Sequence, residues 1–229
     1  VAVGYNVLND LTTGTQNAAI GHAALDNLTT GTHNVAVGAL SLTDLTTASY
    51  NTSVGRANLK SCTTGDANTS VGYYGMYTNT TGTYNTSHGT SSLQYNTTGT
   101  YNTGLGSSAL LNCTTGNYNT AVGYRSNIAN TTGTRNSTFG AQAGIGITTG
   151  SYNTAVGKSA LLLATTGSNN TAMGDSALTA NTTGNSSAAF GHGALDANTT
   201  GSRNVAVGQN ALGANTTADN NTAVGHDAL

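Results

Sequence analysis

The chain contains no proline, no tryptophan and no glutamate; it has two cysteines, and six lysines and arginines against eight aspartates in 229 residues. Each scarcity removes a class of protein. A net charge of −2, with Arg56, Lys60, Arg125, Arg135, Lys158 and Arg203 scattered, supplies no basic face for nucleic acid and no polybasic membrane patch. Apolar residues occur in short groups, never in a run of ~18 or more that could span a bilayer, and no signal peptide is visible. No Gly-rich strand-to-helix turn followed by Lys forms a phosphate loop, and no Ser/His/Asp or Cys/His set converges. No catalytic residue, cofactor or metal is therefore assigned. Few charges with abundant Thr, Asn, Gly and Ser could signal disorder, but a disordered chain does not hold apolar residues in fixed phase.

What is present is a period. Asn119-Thr120-Ala121-Val122-Gly123 returns in altered form every seventeen residues, and its glycine recurs from Gly4 through Gly106 and Gly123 to Gly225, never early or late. Such regularity predicts one small unit stacked on itself. Seventeen residues cannot hold a helix together with a strand and two turns, whereas β-branched residues between Gly and Asn suit short strands. The expected fold is all-β: one continuous parallel β-solenoid over residues 1–229, one repeat per coil, about 13.5 coils. At ~4.8 Å per coil this makes a rod on the order of 65 Å long. The segment reads as part of a longer array.

Counting the repeat from its Asn, slot one is Asn in every copy but Ser187, and includes Asn102, Asn119, Asn136 and Asn153. Stacked Asn can pass amide hydrogen bonds from coil to coil. Slot four, with Val122, Phe139 and Val156, is expected to be the first core column, and slot nine, with Leu110 and Leu161, the second. Slots three and eight are mostly Ala or Ser, which suits close backbones. Slots thirteen and fourteen are Thr-Thr in every complete copy, Thr114-Thr115 among them. Gly at slots five and fifteen marks turns with positive φ or close approach. Ala48 and Ala218 at slot fifteen imply that the second turn tolerates a Cβ.

Irregular positions carry the remaining expectations. Slot twelve mixes Leu45, Cys62, Cys113 and Ile147 with Asn79, Asn96, Asn130, Asn181, Asn198 and Asn215. Facing inward, its Asn would join an internal amide ladder; facing outward, they would display Asn-Thr-Thr sequons as candidate glycosylation sites. Cys62 and Cys113 stand three repeats apart, about 14 Å, beyond the ~7 Å limit for a disulfide. They read as small core residues, with an interchain bridge the alternative. Slot nine holds Asn127 and Gly144 with Ile128 and Ile145 beside them, which predicts a core shifted by one place in two coils. His88 at slot four reads as a core histidine. Asp10, Asp26 and Asp44 read as a solvated edge, with a weak cation column the alternative. Slot seventeen places Tyr84, Tyr101 and Tyr118 in consecutive coils, either as ladder stacking or as a strip for sugars or a partner. The Thr-Thr column suggests ice binding as a further reading, with one Thr of each pair facing out.

The unit NTAVGxxALxxNTTGxx, clearest from Asn153 to Gly167 and from Asn170 to Gly184, resembles repeat arrays of phage tail-fibre and surface-fibre proteins, often found upstream of a self-cleaving endosialidase-type chaperone domain. Its Ala-Val-Gly strand is similar to the head repeat of YadA-like trimeric autotransporter adhesins, a left-handed parallel β-roll. These resemblances imply a trimeric, extracellular fibre or virion appendage. About three sizeable inward residues per coil also favour packing against further copies. The expected function is a non-enzymatic structural shaft that self-associates as a homotrimer or an end-to-end filament. Cell-surface glycans are the candidate ligand, with no nucleic acid partner and no membrane insertion.

Overall fold

The computed structural model describes Val1–Leu229 and consists of short strands, turns and bends without a helix. It divides into two compact units, Val1–Thr115 and Gly116–Leu229. The first holds β1 (Ala2–Val3), β2 (Ala18–Ile20), β3 (Val35–Val37), β4 (Thr52–Val54), β5 (Thr69–Val71), β6 (Thr86–His88) and β7 (Thr103–Leu105). The second holds β8 (Thr120–Val122), β9 (Ser137–Phe139), β10 (Thr154–Val156), β11 (Thr171–Met173), β12 (Ala188–Phe190), β13 (Val205–Val207) and β14 (Thr222–Val224). Within each unit the strands pair in sequence order, all parallel, with partners one repeat apart such as Thr52↔Thr69 and Val156↔Met173. The chain is a parallel β-solenoid of seventeen-residue coils.

Hydrogen bonding shows why the period tolerates no insertion. Around one coil, Thr154 N–H donates to Asn170 O (2.8 Å), Gly157 N–H to Phe139 O (2.8 Å), Leu161 N–H to Ala177 O (3.0 Å) and Thr165 N–H to Thr182 O (2.9 Å). Backbone donors on every side thus find acceptors in the coil before or after, as buried peptide groups require. One extra residue would put a whole edge out of register.

Slot four is not a core column. In each full strand the middle residue is buried while slots two and four point outward or sit at the surface: Thr154 and Val156 are half-buried around a buried Ala155. Alternation in a strand allows either the centre or both ends to face in. Room decides between them. Slot three faces slot eight across a narrow interior: a Cβ on Gly104 would lie 2.5 Å from Ser92 Oγ, and Ser41 Oγ donates to Ser53 Oγ at 2.7 Å. A Val there would overfill a coil that also carries Leu at slot nine; the isosteric Thr138 fits at slot three where slot nine is Gly144. Large inward side chains are left to slot nine, where Leu110 and Leu161 are fully buried, and to slot twelve.

The two glycine slots divide the two reasons expected for them. Slot-five glycines have φ near +130°, as at Gly106 (+132°) and Gly123 (+129°), whereas slot-fifteen glycines avoid the left-handed region. Slot fifteen favours Gly for proximity, since a Cβ on Gly133 would overlap the Gly150 carbonyl oxygen, yet Ala48 sits there buried and Ala218 exposed, so the turn admits a Cβ in two coils as expected. The left-handed residues lie at slots seven, nine and seventeen, none reserved for Gly, such as Ser159 (φ 58°), Leu161 (φ 52°) and Tyr152 (φ 59°). For a Leu this costs roughly 1–2 kcal/mol, and burial of the side chain offsets it.

Slot nine does not shift at Asn127 and Gly144. Asn127 occupies the core place, fully buried, and Ile128 is half-buried beside it. At Gly144 the missing side chain is replaced from within the coil, since a Cβ there would meet Ile147 Cδ1 at 2.8 Å and Thr138 Cγ2 at 2.9 Å. Both amide atoms of Asn127 lack a partner. Leu occupies this slot elsewhere at the same φ, so Asn127→Leu should stabilise the fold by about 1–3 kcal/mol by removing an unpaired buried amide. A urea midpoint that stays put or falls would contradict this account.

Candidate functional site

The slot-one ladder forms inside each unit. In the first, Asn102 N–H donates to Asn85 Oδ1 (2.9 Å); in the second, Asn136 N–H donates to Asn119 Oδ1 and Asn153 N–H to Asn136 Oδ1, each 3.0 Å. Each side-chain amide also closes its own coil: Asn119 Nδ2 reaches Gly133 O at 2.8 Å and Asn153 Nδ2 reaches Gly167 O at 2.8 Å. Ser187 keeps the relay, taking Asn170 Oδ1 with its N–H (3.0 Å) and offering Oγ to Asn204 N–H (3.2 Å).

Slot twelve faces in. Asn79, Asn96, Asn130, Asn181 and Asn198 are fully buried and Asn215 is half-buried, so the folded coil does not display these sequons. Their amides build the internal ladder instead: Asn96 Nδ2 donates to Asn79 Oδ1 (2.7 Å), Asn198 Nδ2 to Asn181 Oδ1 (3.1 Å) and Asn215 Nδ2 to Asn198 Oδ1 (3.1 Å). Exposed sequons are found at Asn169, Asn185 and Asn220. Cys62 and Cys113 are buried and in no disulfide, and burial pushes the Cys62 thiol up to about 11. Burial also removes the basis for an interchain bridge.

The Thr columns separate. Slot-thirteen hydroxyls are spent on the adjacent coil, as Thr97 Oγ1 donates to Thr114 O (3.0 Å) and Thr148 Oγ1 to Thr165 O (3.0 Å). Slot fourteen, including Thr115, is exposed. At slot seventeen, Tyr84 and Tyr101 stack with centroids 5.0 Å apart and planes 3° apart. In the second unit Arg135 lies over Tyr118 (5.3 Å) and Tyr152 (5.2 Å), and its Nη1 donates to Tyr152 Oη at 2.7 Å.

The outward sheet face is the feature that the sequence reading placed inside. Ile20, Val54, Leu105, Phe139, Met173 and Phe190 of slot four are between 36% and 45% exposed, far more than a core column allows. Flanking slot two is mostly Thr, and no residue of either column carries a full charge. His88 sits in this face, exposed on β6, and is not a core histidine. Asp10, Asp26 and Asp44 form no metal-binding group, and no pocket indents the surface. No helix is long and apolar enough to cross a membrane. No protein family, curated protein or solved structure matches the chain.

Proposed function

We propose that the chain is a non-enzymatic structural segment of an extracellular fibre or appendage, whose copies associate side by side through the outward sheet face, as a homotrimer in the leading form. The exposed apolar column of slot four carries this reading. Contiguous exposed apolar patches mark interaction surfaces, and a second copy has the matching coil rise by construction, so its side chains can seat between those of the first. A three-residue strand is about 10 Å wide and seven coils rise about 34 Å, so each unit offers about 340 Å². Each unit thus supplies a substantial part of the roughly 800 Å² per partner of a stable interface. Without Lys, Arg or Asp, the face avoids the larger cost of desolvating ions, and its Thr hydroxyls need partners across the interface.

The test is sedimentation velocity on the whole chain. Wild type should sediment as a multimer, and Phe139→Asp with Met173→Asp should weaken association at least about a hundredfold, since burying even one unpaired charge costs about 3 kcal/mol. Both residues are solvent-facing, so the β-type circular dichroism should persist. A monomeric wild type, or a double variant of unchanged mass, would overturn the reading.

The parallel pair Tyr84 and Tyr101 supports a second reading, adhesion to cell-surface glycans through slot seventeen. Ice binding has less support, because hydrogen bonds to neighbouring carbonyls occupy the slot-thirteen hydroxyls and leave slot fourteen alone.

A further inference from the structure

The densest departure from the repeat lies on two adjacent coils of the first unit, away from slots two, four and seventeen. Arg56 and Lys60 are the only lysine and arginine before Arg125, and both lie against tyrosines of the following coil. Arg56 Nη1 donates to Tyr73 Oη (3.2 Å) and Tyr74 Oη (3.4 Å), and its guanidinium carbon stands 5.8 and 5.9 Å from their ring centres. Lys60 Nζ stands 5.7 Å from the Tyr77 ring. The three rings touch, Tyr73 to Tyr74 at 4.1 Å and Tyr74 edge-on to Tyr77 at 5.0 Å. Tyr73 and Arg56 are exposed, and the other three are half-buried.

This cluster is held in place from below. Asn58 is buried beneath it, donating Nδ2 to Val54 O (2.9 Å) and accepting from Ser70 Oγ (2.8 Å). Gly75, between Tyr74 and Tyr77, lacks a side chain where a Cβ would overlap Asn58 Oδ1 and Ser70 Oγ. Neither cation is paired with a carboxylate: the one Lys or Arg in a salt bridge is Arg203, with Asp219. Arg56 Nε and Nη2 remain open, the edge that grips a planar carboxylate with two hydrogen bonds.

We propose that Arg56, Lys60, Tyr73, Tyr74 and Tyr77 form a binding site for an acidic saccharide, a pyranose bearing a carboxylate. Tyrosine faces receive the apolar face of the sugar ring, and the two cations receive its carboxylate. A site without a pocket fits a chain-like ligand that lies along the surface. Nucleic acid also combines stacking with cations, but two local cations on a chain of net charge −2 supply too little attraction for a phosphate backbone. The site is independent of the assembly face.

Calorimetric titration of the whole chain with a galacturonate oligomer and with sialyllactose, against a neutral galactose oligomer and lactose, tests this. Either or both acidic sugars should bind, at least tenfold more tightly than the neutral ones, and weaken as salt rises; which of the two binds separates uronate from sialate as the source. Arg56→Met and Tyr73→Leu should each weaken binding at least tenfold, while Arg203→Met leaves it unchanged, with circular dichroism identical throughout. Four outcomes would overturn the proposal: no binding of any sugar, equal binding of acidic and neutral sugars, undiminished binding by Arg56→Met, or tighter binding of a single-stranded oligonucleotide. None of them bears on the sedimentation result, so the two readings fail separately.

Discussion

Gly123→Ala should destabilise the protein by about 3–5 kcal/mol, combining a strained left-handed backbone at roughly 1–3 kcal/mol with an overpacked contact of similar size. Gly123 has φ +129°, and its new Cβ would stand 2.6 Å from Gly140 O and 2.7 Å from Gly140 C. Backbone atoms of the next coil cannot step aside without moving their own hydrogen bonds. Gly225→Ala separates the two causes. Gly225 has the same geometry, φ +130°, but a Cβ there meets nothing nearer than Ala228 Cβ at 3.8 Å. It should cost only the strain, about 1–3 kcal/mol. Urea unfolding of both variants measures the difference, and equal losses would show that proximity between coils is not why slot five is Gly.

Asn153→Ala should cost about as much by a different route. Asn153 Oδ1 accepts Asn170 N–H at 3.0 Å, and its Nδ2 donates to Gly167 O at 2.8 Å and to Asn136 Oδ1 at 3.2 Å. The residue is fully buried. Truncation strands a buried donor on one coil and a buried acceptor on its own, each worth roughly 1–3 kcal/mol. Asn153→Ser should lose only about half as much, because Ser187 shows how a hydroxyl continues the relay upward while giving up the reach to slot fifteen. If Ala and Ser prove equally damaging, the upward hydrogen bond contributes little and coil closure dominates. Since each coil contacts its neighbours alone, amide exchange should quicken around Asn136 to Asn170 before it does at distant coils.

Some features of the site were open to reading in the chain and others were not, for reasons visible in single residues. The slot-one ladder was legible because Asn136 and Asn153 must sit over one another once the period is strict. Slot twelve was legible as a choice, and the buried amides of Asn79 and Asn96 decide it. The cluster at Arg56 and Tyr73 was missed, since its members occupy different slots of different coils and column-by-column comparison cannot assemble them. The signal was there in principle: the first unit's two cations share one coil, directly before a coil with four tyrosines.

Period, parallel stacking, coil count and the columns that stack are properties of the sequence alone, because equal spacing makes every backbone bond run to the residue one repeat away. Which side of the sheet Val156 and Phe139 occupy was decided only in three dimensions. A three-residue strand offers both choices, hydropathy favours the wrong one, and the short distance from slot three to slot eight across the coil excludes it. The left-handed turns at Ser159, Leu161 and Tyr152 were decided the same way: no side chain there announces a positive φ, and the chain adopts it because a closed coil of this length has to turn those corners to return beneath itself.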